Sequence, residues 1–105
     1  MQTFQENLAG LPSCEGIARI ELVDAGDKTV AVIENKPGSQ GSLRVYHHLT
    51  ELYAEITPAA ARAGLELYAE HTADARTNPG KHPNIDRLFD VIDHNATLGV
   101  RVVPV

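Results

Sequence analysis

Hydrophobic positions along the chain repeat at two periods, and the switches between them mark out the elements. Thr3-Phe4-Gln5-Glu6 has the form of a capping box, with Thr3 as cap and Glu6 reaching back to it. Phe4, Leu8 and Leu11 follow at helical spacing, and Gly10 and Pro12 close this short helix. Residues 17–24 change to a period of two, with Ala18, Ile20 and Leu22 on one face. Ala25-Gly26-Asp27-Lys28 turns the chain, and residues 29–34 form the second arm of a hairpin. That arm is apolar on both faces, which predicts an interior place in the sheet.

A loop follows over residues 36–41, broken by Pro37, Gly38 and Gly41. Ser42 is the expected cap of the next helix, whose stripe is Val45, Leu49, Leu52 and Ile56, widened by Tyr46 and Tyr53. Thr57-Pro58, a cap followed by an N1 proline, opens another helix. Its rows are Ala61, Leu65, Tyr68 and Thr72, and beside them Gly64, Leu67, His71 and Ala75. The pattern predicts one helix to about Arg76, ended by Asn78-Pro79-Gly80. Pro83-Asn84 opens a last helix with Ile85, Leu88, Phe89 and Ile92 as its stripe and Asn95 as its stop. Residues 97–103 read as a final strand, with Leu98, Val100 and Val102 on one face and Pro104 at its end.

The order is therefore α-β-β-α-α-α-β. It predicts an α+β fold: a small, mainly antiparallel three-stranded sheet, made of the hairpin 17–34 and the C-terminal strand 97–103, packed against three to four helices in two layers. The 105 residues suit a single domain with one core over 1–105, and no repeat or linker divides them. A free edge such as strand 97–103 is able to pair with a second copy, so a homodimer is one expected assembly.

Charge narrows the function classes. Nine Lys and Arg against fourteen Asp and Glu give a net charge of −5. That argues against a nucleic-acid partner, which needs a basic stripe, and against a polybasic membrane anchor. No apolar run approaches the roughly 18 residues of a membrane span. Residues 1–7 lack the basic start and apolar core of a signal peptide, so a cytoplasmic location is expected. Cys14 is the single cysteine, which excludes an intrachain disulfide and any CxxC motif and fits a reducing compartment.

Two segments carry candidate chemistry. The first is the loop Lys36-Pro37-Gly38-Ser39-Gln40-Gly41-Ser42, opening a helix with Arg44 in its first turn. Helix starts present free N–H groups and partial positive charge, and glycine allows close approach of an anion. Lys36, Gly38, Gly41, Ser42 and Arg44 are the candidate ligand-binding residues. The order is not that of a Walker A loop, and the plain alternative is a capped connection. The second segment runs from His71 to Asp86 and is rich in short polar side chains. His71, Asp74, His82 and Asp86 are candidates for acid–base chemistry or a metal site, although their spacing matches no short metal motif. The structural alternative there is helix capping by His82 or Asn84 and a buried, fully bonded His71.

Asn35-Lys36-Pro37-Gly38 with Gly41-Ser42-Leu43-Arg44-Val45-Tyr46, Ala69-Glu70-His71-Thr72 with Asp74-Ala75-Arg76, Pro79-Gly80-Lys81-His82-Pro83-Asn84-Ile85-Asp86, and the ending Val100-Arg101-Val102-Val103-Pro104 together make a specific set. On these segments the chain resembles a family of short bacterial proteins catalogued as a domain of unknown function, numbered 2322. The resemblance implies a bacterial single-domain protein and no reaction, substrate or cofactor. The residues themselves favour a small cytosolic binding or regulatory module for a small anionic ligand. The alternatives are an enzyme or metal-binding protein built on the second segment, and a protein-interaction adaptor.

Overall fold

The computed structural model describes residues 2–105. The chain runs through α1 (Phe4–Ala9), β1 (Ile17–Val23), β2 (Thr29–Glu34), α2 (Gln40–Tyr53), α3 (Pro58–Tyr68), α4 (Glu70–Thr77), α5 (Pro83–Asp93) and β3 (Gly99–Pro104). The α+β reading holds: five helices pack with an antiparallel sheet in the order β2-β1-β3.

The sheet places β1, not β2, at its centre. In β1 the side chains alternate from Arg19 onward, with Ile20 and Leu22 fully buried and Arg19 and Glu21 on the opposite face. Arg19 and Arg101 both pair with Glu21, at 3.0 and 3.3 Å, so the outer face is a charged surface. The two-faced apolar pattern of β2 has a different cause from burial. Ala31 lies opposite Leu22 and Thr29 opposite Val23, which leaves Val30 as the extra residue of a bulge. Val30 and Val32 are each about half exposed, as an edge strand allows.

Helix α2 starts earlier than Ser42 suggested. Ser39 occupies the cap position, where its hydroxyl donates to the Glu34 carbonyl instead of closing the helix. Leu43, Val45, Tyr46 and Leu49 are buried, whereas Leu52 is 63% exposed. Ile56 has left the helix and exchanges backbone hydrogen bonds with Leu98, at 2.9 and 3.0 Å. That bridge ties the α2–α3 connection to the approach of β3.

The largest departure from the sequence pattern is the break of the 57–76 helix at Ala69, whose φ is 51° and ψ −117°. Two carbonyls freed there find side-chain partners. Thr72 Oγ1 donates to the Leu65 carbonyl at 2.6 Å, and Asn7 Nδ2 to the Leu67 carbonyl at 2.9 Å. The change of direction brings Glu70 to the start of α1, where its carboxylate accepts from the Phe4 N–H at 2.8 Å. It also carries His71 out of the Gly64–Leu67 row and against Phe4.

One core unites the layers: Ile20, Leu22 and Ile33 from the sheet meet Leu49 of α2, Ala60 and Ala61 of α3, and Leu88 of α5. Gly64 lets α3 approach its neighbours closely. A Cβ there would lie 2.8 Å from Leu88 and 3.0 Å from Leu49. No helix among the described residues is long and apolar enough to cross a membrane.

Candidate functional site

The two polar segments meet in space. The start of α2 and the turn before α5 face one another across a cavity of about 260 Å³. Gly38, Gly41 and Ser42 form one wall, and Lys81, His82 and Asn84 form the other. Phe4, Tyr68 and His71 close it from the α1, α3 and α4 side.

Two buried tyrosines fix these walls. Tyr68 donates to Ser42 Oγ at 2.7 Å, and Tyr46 donates to the Asn84 carbonyl at 2.5 Å. Burial pushes the Tyr46 hydroxyl up to about 12 and raises Tyr68 as well, so both act as neutral donors. Arg87 reinforces the second wall by donating to Asn84 Oδ1 at 2.7 Å and to the Tyr46 hydroxyl oxygen at 3.3 Å. Because Ser42 accepts from Tyr68, its own proton remains available to the cavity.

The start of α2 adds backbone donors. Gln40 N–H bonds the Lys36 carbonyl and Leu43 N–H bonds that of Ser39. The Gly41 and Ser42 N–H groups, between them, have no partner among the described residues. Gly38 has φ of +94° and nothing within 4 Å of a hypothetical Cβ, so the loop leaves the cavity wall bare of side chain.

On the opposite wall, Asp74 organises the basic residues from behind. Its Oδ2 lies 2.6 Å from His82 Nε2 and 3.1 Å from Lys81 Nζ, and its Oδ1 accepts from Asn78 Nδ2 at 3.0 Å. The hydrogen bonds from His82 and then Lys81 hold its carboxyl down at about 2. An ionised carboxylate only accepts, so Nε2 of His82 carries the proton and Nδ1 has no protein partner among the described residues. The His71 ring stands edge-on to Phe4 at 5.1 Å and lies 5.6 Å from the His82 ring. It makes no hydrogen bond among the described residues, so it is not the fully bonded core histidine of the structural alternative.

Other sequence candidates sit elsewhere. Lys36 is exposed and pairs with Glu34 at 2.6 Å. Arg44 points away from the cavity and donates to the carbonyls of Leu8 and Leu11 at 2.6 and 2.7 Å, closing the end of α1. Asp86 accepts from Gly80 N–H at 2.9 Å and lines a groove on the other side of α5. Of the four acid–base candidates, Asp74, His82 and His71 therefore stand together, and Asp86 lies apart from them. Among the described residues no group of three or more His, Cys, Asp or Glu is arranged to hold a metal ion. Cys14 is buried, and burial raises its thiol, which makes it a poor nucleophile. Tyr68, Phe4 and Lys81 were not singled out by the sequence. Their signals were weak: two residues on helical apolar rows and one lysine next to His82.

This is a small α+β domain with a cavity at a helix start, walled by basic and hydroxyl groups. The chain belongs to the domain-of-unknown-function family 2322, described as an uncharacterized protein conserved in bacteria, whose model matches residues 4–102. No curated protein and no solved structure matches it.

Proposed function

We propose that the protein is a small binding module whose cavity takes a small anion, of the phosphate or low-molecular-weight carboxylate class. The supporting observation is the lining. In a chain of net charge −5, the described residues around this cavity include Lys81, His71, His82 and Ser42 but no Asp or Glu. The unbonded Gly41 and Ser42 N–H groups add donors at the positive end of α2. A volume of about 260 Å³ lies below the range of roughly 300–1,000 Å³ for drug-sized ligands, so the ligand is small.

A thermal-shift panel of phosphate, pyrophosphate, sulfate, citrate and short dicarboxylates at matched ionic strength tests the proposal. For a Kd of about 0.1 mM, about 10 mM ligand stabilises by about 2.7 kcal/mol. For a domain of this size that is a shift on the order of 10 °C. Lys81→Gln and His71→Gln should each weaken binding about tenfold. No saturable shift with any anion overturns the reading.

The Asp74–His82 pair supports a second reading, in which the bound compound also undergoes proton transfer at His82. Incubation with a bacterial metabolite extract, followed by mass spectrometry, separates the two. A compound consumed by the wild type and spared by Asp74→Asn supports turnover; binding without consumption contradicts it. The proposal takes the module to act in the cytosol, which suits its single buried thiol. It takes the outer edge of β2 or β3 as the contact of a homodimer, and light scattering that returns the mass of one chain removes that part.

A further inference from the structure

A second concave surface lies on the other side of α4 and α5, away from the first cavity. Two grooves of about 620 and 430 Å³ run along this side and share Leu65 and Arg76. Phe89 and Ile92 of α5 line the larger one without being fully buried. Beside the buried Ile85, Leu88 and Val91, these two side chains pack against the core with one side and leave the other to the groove. Carboxylates stand along the trough: Asp86, Asp90 and Asp93 on α5, and Glu66 at the far end. Asp90 and Asp93 are exposed, and their side chains have no ion pair or hydrogen bond among the described residues.

Arg76 is the one cation among the described residues that line the trough. The Arg76 guanidinium lies over the Phe89 ring, 5.0 Å from its centroid. That ring face is thus taken by the chain itself, and what the trough leaves for an incoming cation is the unpaired carboxylates of Asp90 and Asp93 beside its half-buried apolar floor. We propose that this trough docks a partner protein through an amphipathic segment that presents arginines and aliphatic side chains together. The segment's apolar side covers Leu65, Phe89 and Ile92, and its arginines meet Asp90 and Asp93. The same face of a second copy fits poorly, because it presents its own Asp86, Asp90 and Asp93. Binding here is independent of the anion cavity, since Lys81, His71 and Ser42 take no part.

The test uses the full-length protein and a fluorescein-labelled 18-residue amphipathic peptide of leucine and arginine, read by anisotropy at physiological salt. A peptide with glutamate in place of every arginine is the first control. Asp90→Asn with Asp93→Asn should weaken the arginine peptide at least tenfold. Glu15→Gln with Glu55→Gln removes the same charge elsewhere and should leave its affinity unchanged. Amide shifts in the complex should concentrate at residues 65, 75–76 and 89–93. The proposal is overturned if both double variants weaken binding equally, if the two peptides bind alike, or if the arginine peptide does not bind. Each of those outcomes leaves the anion proposal standing, because the thermal-shift panel reads a different set of residues.

Discussion

Arg44 shows how far a single residue type can be read from sequence. Its position in the first turn of α2, after a glycine-bearing loop, fitted an anion ligand. Three carbonyls at the end of α1 claim it instead: those of Leu8, Leu11 and Pro12. Nothing local to residues 36–44 announces that α1 ends there, because the contact spans more than thirty positions. Arg44→Ala should therefore destabilise the fold by about 1–3 kcal/mol, as loss of charge-assisted hydrogen bonds does, and leave anion affinity unchanged. Urea unfolding and a ligand titration measure the two effects separately. Asp74 sets a pH dependence of its own. Its carboxyl sits at about 2 in the fold against an ordinary 3.8, so the unfolded chain takes up the proton more readily. Its contribution to stability is full above pH 3.8 and is lost as pH falls through about 2. Acid titration of the unfolding free energy should show this slope in the wild type and a shallower one in Asp74→Asn.

At the scale of elements, the sequence carried most of the fold. The hairpin, the Thr3 and Thr57 caps and the Pro83 start all stand where the pattern puts them. The break at Ala69 was not legible, because alanine is the best helix former and nothing in its spacing marks a stop. Its cause is tertiary: Thr72, Asn7 and Glu70 satisfy the groups that the break exposes. Without that break His71 would remain in a core row, so the site depends on it. A residue with a side chain at φ of 51° and ψ of −117° is strained, at a cost on the order of 1–3 kcal/mol. Ala69→Gly should therefore raise stability by about 1 kcal/mol, measured by chemical denaturation. A loss of stability would show that the backbone there is relaxed.

For the whole molecule, strand order and the convergence of the two polar segments were beyond the sequence. The convergence depends on how closely α3 packs against α2 and α5, and Gly64 permits that approach. Gly64→Val should cost at least about 1–3 kcal/mol by overpacking against Leu88 and Leu49. Through the displaced helices it should also weaken anion binding, which calorimetry on the folded variant would detect. About half of the cavity lining was among the residues the sequence singled out. Gly38, Gly41, Ser42, His71 and His82 line the cavity, while Lys36, Arg44 and Asp86 have other partners. The polar residues were visible as types, but only the fold decides which of them face one another.

The most direct test of the anion cavity is an amide NMR titration of the wild-type protein with phosphate, against chloride at equal ionic strength. The account predicts saturable shifts centred on the Gly41 and Ser42 amides and on Lys81 and His82, absent at Arg44's contacts in α1. Uniform, unsaturated drift across the surface, or shifts centred away from this cavity, would contradict it.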